Sequence, residues 1–158
     1  MVTAAFMRAS GYLQEVEDGP TEERHMTGEK QIAIAQEFFQ KSFRNEMTSA
    51  VELLAPDVTY HVAGLHRLAG TFEGPAAVCE HVGEFLRLTN NTVNILQWED
   101  WMIGVNYLAA LVRMRFQREG SIHTFRAIYL MSMSPADKIH RIELFFEDES
   151  AVVRSLFG

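Results

Sequence analysis

Apolar positions along the chain change their spacing somewhat past its middle, near residue 92, and that change divides the elements into helices and then strands. Ile32, Ala35, Phe38, Phe39 and Phe43 fall on one stripe of a helix. Thr27 is its expected cap, with Glu29 in the first turn, and Asn45 its left-handed stop. Met47, Ala50, Val51 and Leu54 share one face of a second, short helix ended by Pro56. Val58–Val62 reads as a strand and Gly64–Gly70 as a loop. A third helix follows Gly74-Pro75, with Val78, Val82, Phe85 and Leu86 on its apolar stripe and Asn90-Asn91 at its end.

From there the period is that of strands, over roughly 92–102, 105–118, 121–134 and 138–147. Turn residues separate them: Gly104, Glu119-Gly120 and Pro135-Ala136-Asp137. In the second of these strands Leu108, Ala110, Val112, Met114 and Phe116 alternate with Arg113, Arg115 and Gln117, giving one buried and one wet face. Helices followed by a meander of long strands predict an α+β domain. Residues 13–30 are polar and read as a linker or arm, so residues 1–28 are expected to be a mobile extension and 29–158 the folded domain.

Composition narrows the function. The chain has 158 residues, 47 % hydrophobic and 22 % charged, and a net charge of −7. That is enough chain for one core. The charge disfavours nucleic acid, which needs a basic stripe. Cys79 is the single cysteine, so no internal disulfide forms. No apolar run approaches the roughly 20 residues that span a bilayer, and the N-terminus lacks a signal-peptide pattern. A cytoplasmic protein is expected.

The six histidines show no metal-ligand spacing, and no glycine-rich phosphate loop follows a strand, so neither metal nor cofactor is expected. By strand alternation His61 faces away from the interior, while His66 and Arg67 lie on a loop and His140 points inward. Trp98 and Trp101, three apart on one strand, are expected on opposite faces. Cys79, on the third helix with His81, reads as packing.

The run Leu53-Leu-Ala-Pro-Asp-Val-Thr-Tyr-His-Val-Ala-Gly64, followed by Leu68-Ala-Gly-Thr-Phe-Glu-Gly-Pro-Ala-Ala-Val78, resembles the nuclear transport factor 2-like superfamily and its SnoaL-like branch. The ending Lys138-Ile-His-Arg-Ile-Glu-Leu-Phe-Phe-Glu-Asp148 resembles that family's last strand, before a short closing helix. The resemblance covers residues 29–158. It implies a cone-shaped α+β roll, its N-terminal helices packed in a strongly curved antiparallel sheet around a cavity. It also implies a homodimer through the outer face of the sheet, where Arg113, Arg115, Arg126 and Glu143 would lie.

The same resemblance implies several chemistries, which the residues here meet unevenly. A ketosteroid isomerase needs a carboxylate base and two oxyanion donors. Phe38 stands at the first donor position, Val62 at the base and Tyr129 at the second donor. Valine cannot abstract a proton. A limonene epoxide hydrolase would need polar groups where Val62, Val112, Met114 and Leu144 stand, and only Tyr60 matches. Neither catalytic set is retained. A SnoaL-type cyclase asks less of the protein. For it, His123 is the expected acid–base group, because an imidazole titrates near neutrality, and Tyr129 and Tyr60 would stabilise an oxyanion. Phe38, Val62, Trp98, Met114, Phe125, Leu144 and Phe146 would line the pocket. The expected ligand is an apolar ring-bearing small molecule, taken by an isomerase or cyclase or held by a non-catalytic binding module.

Overall fold

Pro20 opens the first helix, α1 (Pro20–Phe43), at the position where proline's missing N–H costs nothing. The computed structural model describes the backbone of residues 20–158 and the side chains from Gly28 onward. The helix therefore runs through Thr27, which is not its cap. Of the extension expected over residues 1–28, the part up to position 19 lies outside the described residues. The helix ends at Asn45, in the left-handed region at φ 61°.

A short helix, α2 (Met47–Ala50), and a 3₁₀ turn (Val51–Leu53) lead into β1 (Leu54–Val62). The strand thus begins before Pro56 rather than after it. Pro56 is tolerated because the pairing of β1 with its neighbour shifts register between Leu54 and Thr59, and an irregularity of this kind asks no ladder N–H of a proline. After β2 (Gly70–Glu73) comes α3 (Gly74–Leu88), closed by Asn90 and Asn91 at φ 53° and 57°. Four long strands follow: β3 (Asn94–Ile103), β4 (Leu108–Arg118), β5 (Ser121–Met133) and β6 (Ile139–Phe146). The helix α4 (Glu149–Phe157) completes the chain, its first turn capped by Asp148 Oδ1, which accepts from the Ala151 N–H at 2.9 Å.

The strands form one sheet in the order β2-β1-β6-β5-β4-β3. All neighbours are antiparallel except β1 and β6, which run parallel, so the sheet is mixed. The architecture is an α+β roll with the helices against one face. Phe38 and Phe39 from α1, Val78 and Leu86 from α3, and Val112, Met114 and Tyr129 from the sheet are buried together in one core. The alternation in β4 holds: Leu108, Ala110, Val112, Met114 and Phe116 are buried, while Arg113, Arg115 and Gln117 are exposed.

The outer face carries a row of ion pairs. Glu99 accepts from Arg113 Nε at 2.8 Å and from Arg126 Nε at 2.8 Å, and Arg126 also reaches Glu147 at 2.9 Å. The two guanidiniums hold the Glu99 carboxyl below the usual carboxylate range, Arg113 contributing most. Beside this row, Leu111, Ile128 and Phe145 are register partners across β4, β5 and β6. Ile128 and Phe145 are 38 % and 40 % exposed.

Trp98 and Trp101 do not diverge as alternation predicts. Their rings stack at 4.8 Å and 18°. The pairing of β3 with β4 slips between Trp98 and Asp100. An extra residue there returns Trp101 to the side of Trp98, as a bulge does. His140 is also displaced from its expected place: it is exposed and lies 3.3 Å from Asp57.

Candidate functional site

Two of the three expected catalytic side chains meet. Tyr60 on β1 and Tyr129 on β5 reach each other across the inner face, one strand apart, because β6 pairs with both. Their exposures are 4 % and 1 %. The hydroxyls hydrogen-bond to each other, and burial raises the pKa of both. The Tyr129 hydroxyl also lies 3.7 Å from Met114 Sδ. Both phenols therefore stay protonated at neutral pH and are donors rather than bases.

His123 is elsewhere. It lies six residues back along β5, about 20 Å at the rise of an extended strand, and stacks on Phe116 at 5.0 Å. It lines a cleft of about 270 Å³ between the start of β5 and α4, with Phe116, Phe125, Ala151, Val152 and Ser155. No single ligand of modest size touches both His123 and the tyrosine pair.

The histidine beside the tyrosines is His81, on α3. Its ring packs 5.0 Å from Tyr60 and stacks on Phe72 at 4.1 Å. Burial, with a smaller contribution from nearby His66, lowers its pKa to about 4. It is a neutral imidazole at physiological pH. The sequence places His81 on the helix but gives no reason to single it out. Its signal is its phase: it falls between Val78, Val82 and Phe85, all buried on the same helix.

His66 is not a solvated loop residue. Its side chain is 4 % exposed. Nδ1 accepts from the Leu68 N–H at 3.2 Å, and Nε2 is buried without a partner, 3.9 Å from Glu149. Cys79 is partly buried and its thiol is pushed up by burial, so it is a poor nucleophile. Among the described residues no cluster of histidines, cysteines and carboxylates is placed to hold a metal ion.

The expected pocket lining separates into three groups. Phe38, Val62, Met114 and Leu144 are fully buried core. Phe125 faces the smaller cleft, and Phe146 is half-buried between Phe125 and His66. Trp98 lines a larger cleft of about 650 Å³ between α1 and the start of β3. Its floor is a chain of rings. Phe43 lies 6.0 Å from Phe39, Phe39 lies 5.9 Å from Trp98, and Trp98 stacks on Trp101. Gln36, Gln40 and Arg44, at helical i, i+4 and i+8 spacing, form one rim, and Asn91, Thr92 and Asn94 the other. Phe39 then joins the cleft to the interior, since its far side packs 4.3 Å from the Tyr129 ring.

The fold that holds these residues has counterparts in solved structures. A nuclear transport factor 2-like protein from Burkholderia xenovorans superposes with a TM-score of 0.65 at 17 % identity, over 81 % of this chain and 96 % of that one. The chain has the nuclear transport factor 2-like fold. SalBIII, an epoxide hydrolase/cyclase-like enzyme with a role in pyran ring formation in the polyether salinomycin, shares this fold. It superposes with a TM-score of 0.62 at 18 % identity, over 75 % of this chain and 91 % of that one. An uncharacterised protein of Mycobacterium tuberculosis is 26 % identical over 127 residues, covering 80 % of this chain and 95 % of the relative. No protein-family model matches the chain. In this nuclear transport factor 2-like domain the α+β class and the helices-then-strands order are those expected, while the sheet is mixed and gains the short strand β2, and no helix among the described residues is long and apolar enough to cross a membrane.

Proposed function

We propose that the protein is a SnoaL-like small-molecule-binding protein that takes an apolar, ring-bearing ligand in the cleft between α1 and β3. The observation that carries this reading is the cleft's form. Its volume, about 650 Å³, is in the range of ligand sites. Its floor offers the partly exposed rings of Phe43 and Trp98 to a planar ring, above the buried Phe39, and stacked or edge contacts of that kind add to area burial.

Binding without conversion is favoured over catalysis. The polar groups able to act on a substrate, Tyr60, Tyr129 and His81, are buried, Tyr129 directly against Phe39, and among the described residues no carboxylate base stands with them. Catalysis is the second reading, supported by that same trio. If Phe39 turned aside, two protonated phenols would donate to a developing oxyanion and the neutral imidazole of His81 would exchange a proton. This would be isomerase or cyclase chemistry, and the cyclase-like neighbour of the same fold gives it weight. His123, in its own cleft, takes no part in it.

The partner is proposed to be a second copy of the chain. Leu111, Ile128 and Phe145 form a partly exposed apolar row on the outer face of the sheet, flanked by the Glu99 ion-pair row. Such a face is suited to an isologous contact. A cytoplasmic setting is proposed as well, consistent with the single cysteine.

Intrinsic fluorescence tests the ligand site, because Trp98 lies in the cleft wall. Titration with 2-naphthol is expected to quench emission saturably. Phe43→Ala should weaken binding about tenfold, as loss of an aromatic contact of 1–1.5 kcal/mol would. Chromatography of the recovered 2-naphthol should show it unchanged. Absence of saturable quenching in the wild-type protein would remove the cleft as the site.

A further inference from the structure

We infer that the ligand of this cleft is an aromatic monocarboxylate, its ring on the Phe43–Trp98 floor and its carboxylate on Arg44. The inference rests on the cleft being the ligand site and adds the charge and class of what it binds.

The first observation is the distribution of charge. The chain carries 21 acidic and 14 basic residues, yet among the described residues the cleft is lined by one cation, Arg44, and by no aspartate or glutamate. The nearest other cation on the helix, Lys41, is already paired with Glu37 at 2.7 Å. Arg44 makes no side-chain hydrogen bond or ion pair with any described residue. A guanidinium at the mouth of an aromatic cleft, with its N–H donors unused by any described residue, favours a planar anion, which it can grip with two parallel bonds.

The second observation is the rim. Gln36 and Gln40 share the helix face that carries Arg44, while Asn91 and Asn94 stand opposite. None of these four amides makes a side-chain hydrogen bond to a described residue. Asn91 is set in place by its left-handed backbone, φ 57°, and by its N–H donating to the Leu86 carbonyl at 2.7 Å. Primary amides can donate to carboxylate oxygens that a single arginine leaves unsatisfied.

The third consideration limits the charge. With one cation among the described residues of the cleft and a net charge of −7 over the whole chain, the protein's field opposes a polyanion. One guanidinium balances one negative charge. A phosphate ester, carrying nearly two, would be under-compensated. A carboxylate on a ring meets the floor, the cation and the charge balance together.

Paired probes of the same shape test this. The wild-type protein is titrated with 2-naphthoate and with 2-naphthamide, following tryptophan emission at low and high salt. The carboxylate is expected to bind about tenfold more tightly than the amide, the size of one charge-assisted contact, and to lose that advantage at high salt. Arg44→Gln should abolish the difference by weakening 2-naphthoate alone, and Arg44→Lys should restore part of it. Arg44 is exposed, so its replacement leaves the core intact, and circular dichroism of each variant confirms the fold. Equal binding of the two probes, or an equal loss of both in Arg44→Gln, would overturn the carboxylate assignment while leaving the cleft as a ligand site. Failure of both probes to bind would overturn the cleft reading and this inference with it.

Discussion

The ring of Phe39 lies 4.3 Å from that of Tyr129 and is the partition between the outer cleft and the buried tyrosine pair. Removing it should open one to the other. Phe39→Ala is expected to destabilise the fold by about 3–5 kcal/mol, the usual cost of emptying a buried aromatic site. It should also let water reach Tyr129. In the wild type, burial raises the pKa of both phenols, so they should ionise only as the protein unfolds in alkali. In Phe39→Ala, tyrosinate absorbance should appear at lower pH, ahead of the loss of far-ultraviolet circular dichroism. Coincident transitions would mean that Phe39 does not seal the pair.

The hairpin between β4 and β5 turns on Glu119 and Gly120, both with positive φ, 50° and 79°. Two such residues joining paired strands form the turn that matches strand twist, and it favours Asn-Gly. Glutamate bears a Cβ penalty there that asparagine bears less. Its one ion pair, to Arg118, is long at 3.8 Å and exposed, so little is lost with it. Glu119→Asn should therefore raise stability by about 0.5 kcal/mol, and Gly120→Ala should lower it by about 1 kcal/mol. Urea midpoints measure both, and a drop for Glu119→Asn would refute the turn assignment.

Most of the fold was legible because its signals are local. The stripe from Ile32 to Phe43, the asparagine stops at positions 45, 90 and 91, and the alternation of Leu108 to Phe116 each depend on neighbours in sequence. The misreadings came where pairing overrides the local pattern. Pro56 looks like a helix stop but sits in an irregularity of β1 that only the β6 register reveals. The slip at β3 turns Trp101 to the side of Trp98 and presents Glu99 to Arg113 and Arg126. The site was less legible. Face alternation placed His123 on the same side as Tyr129, correctly in parity, but gave no measure of distance along the strand. The spacing of Gln36, Gln40 and Arg44 was visible. Its meaning needed the loop at residues 91–94, which is brought opposite only by the fold.

The apolar row on the outer face gives a test of assembly. If Leu111, Ile128 and Phe145 meet a second copy, Ile128→Asp places an unpaired charge at the centre of that contact. Burying such a charge is strongly unfavourable, so the dimer should dissociate. Analytical ultracentrifugation should show a dimer for the wild type and a monomer for the variant. Because Ile128 is 38 % exposed and outside the core, the variant should still fold. A monomeric wild-type protein would remove this face as the interface.

His81 should make stability fall in mild acid, and the sign follows from its environment. Burial holds its folded pKa at about 4, below the ordinary 6.5. Between those values the unfolded chain binds a proton that the folded one does not, so stability rises with pH across this window. Stability is complete above about pH 6.5, declines as pH falls towards 4, and loses nothing further from this group below that. The full span is about 3 kcal/mol at most. His81→Phe keeps a ring between Phe72 and Tyr60 while removing the titration. Urea denaturation at several pH values should therefore give a flatter profile for the variant between pH 6.5 and 4 than for the wild type. Carboxylates that titrate lower, such as Glu99 on its two arginines, should leave their acid-side slope in both proteins. Parallel profiles throughout would mean that His81 accepts a proton without opening the fold. That would place a charge beside Tyr60 and make the buried trio a proton-exchanging site rather than packing.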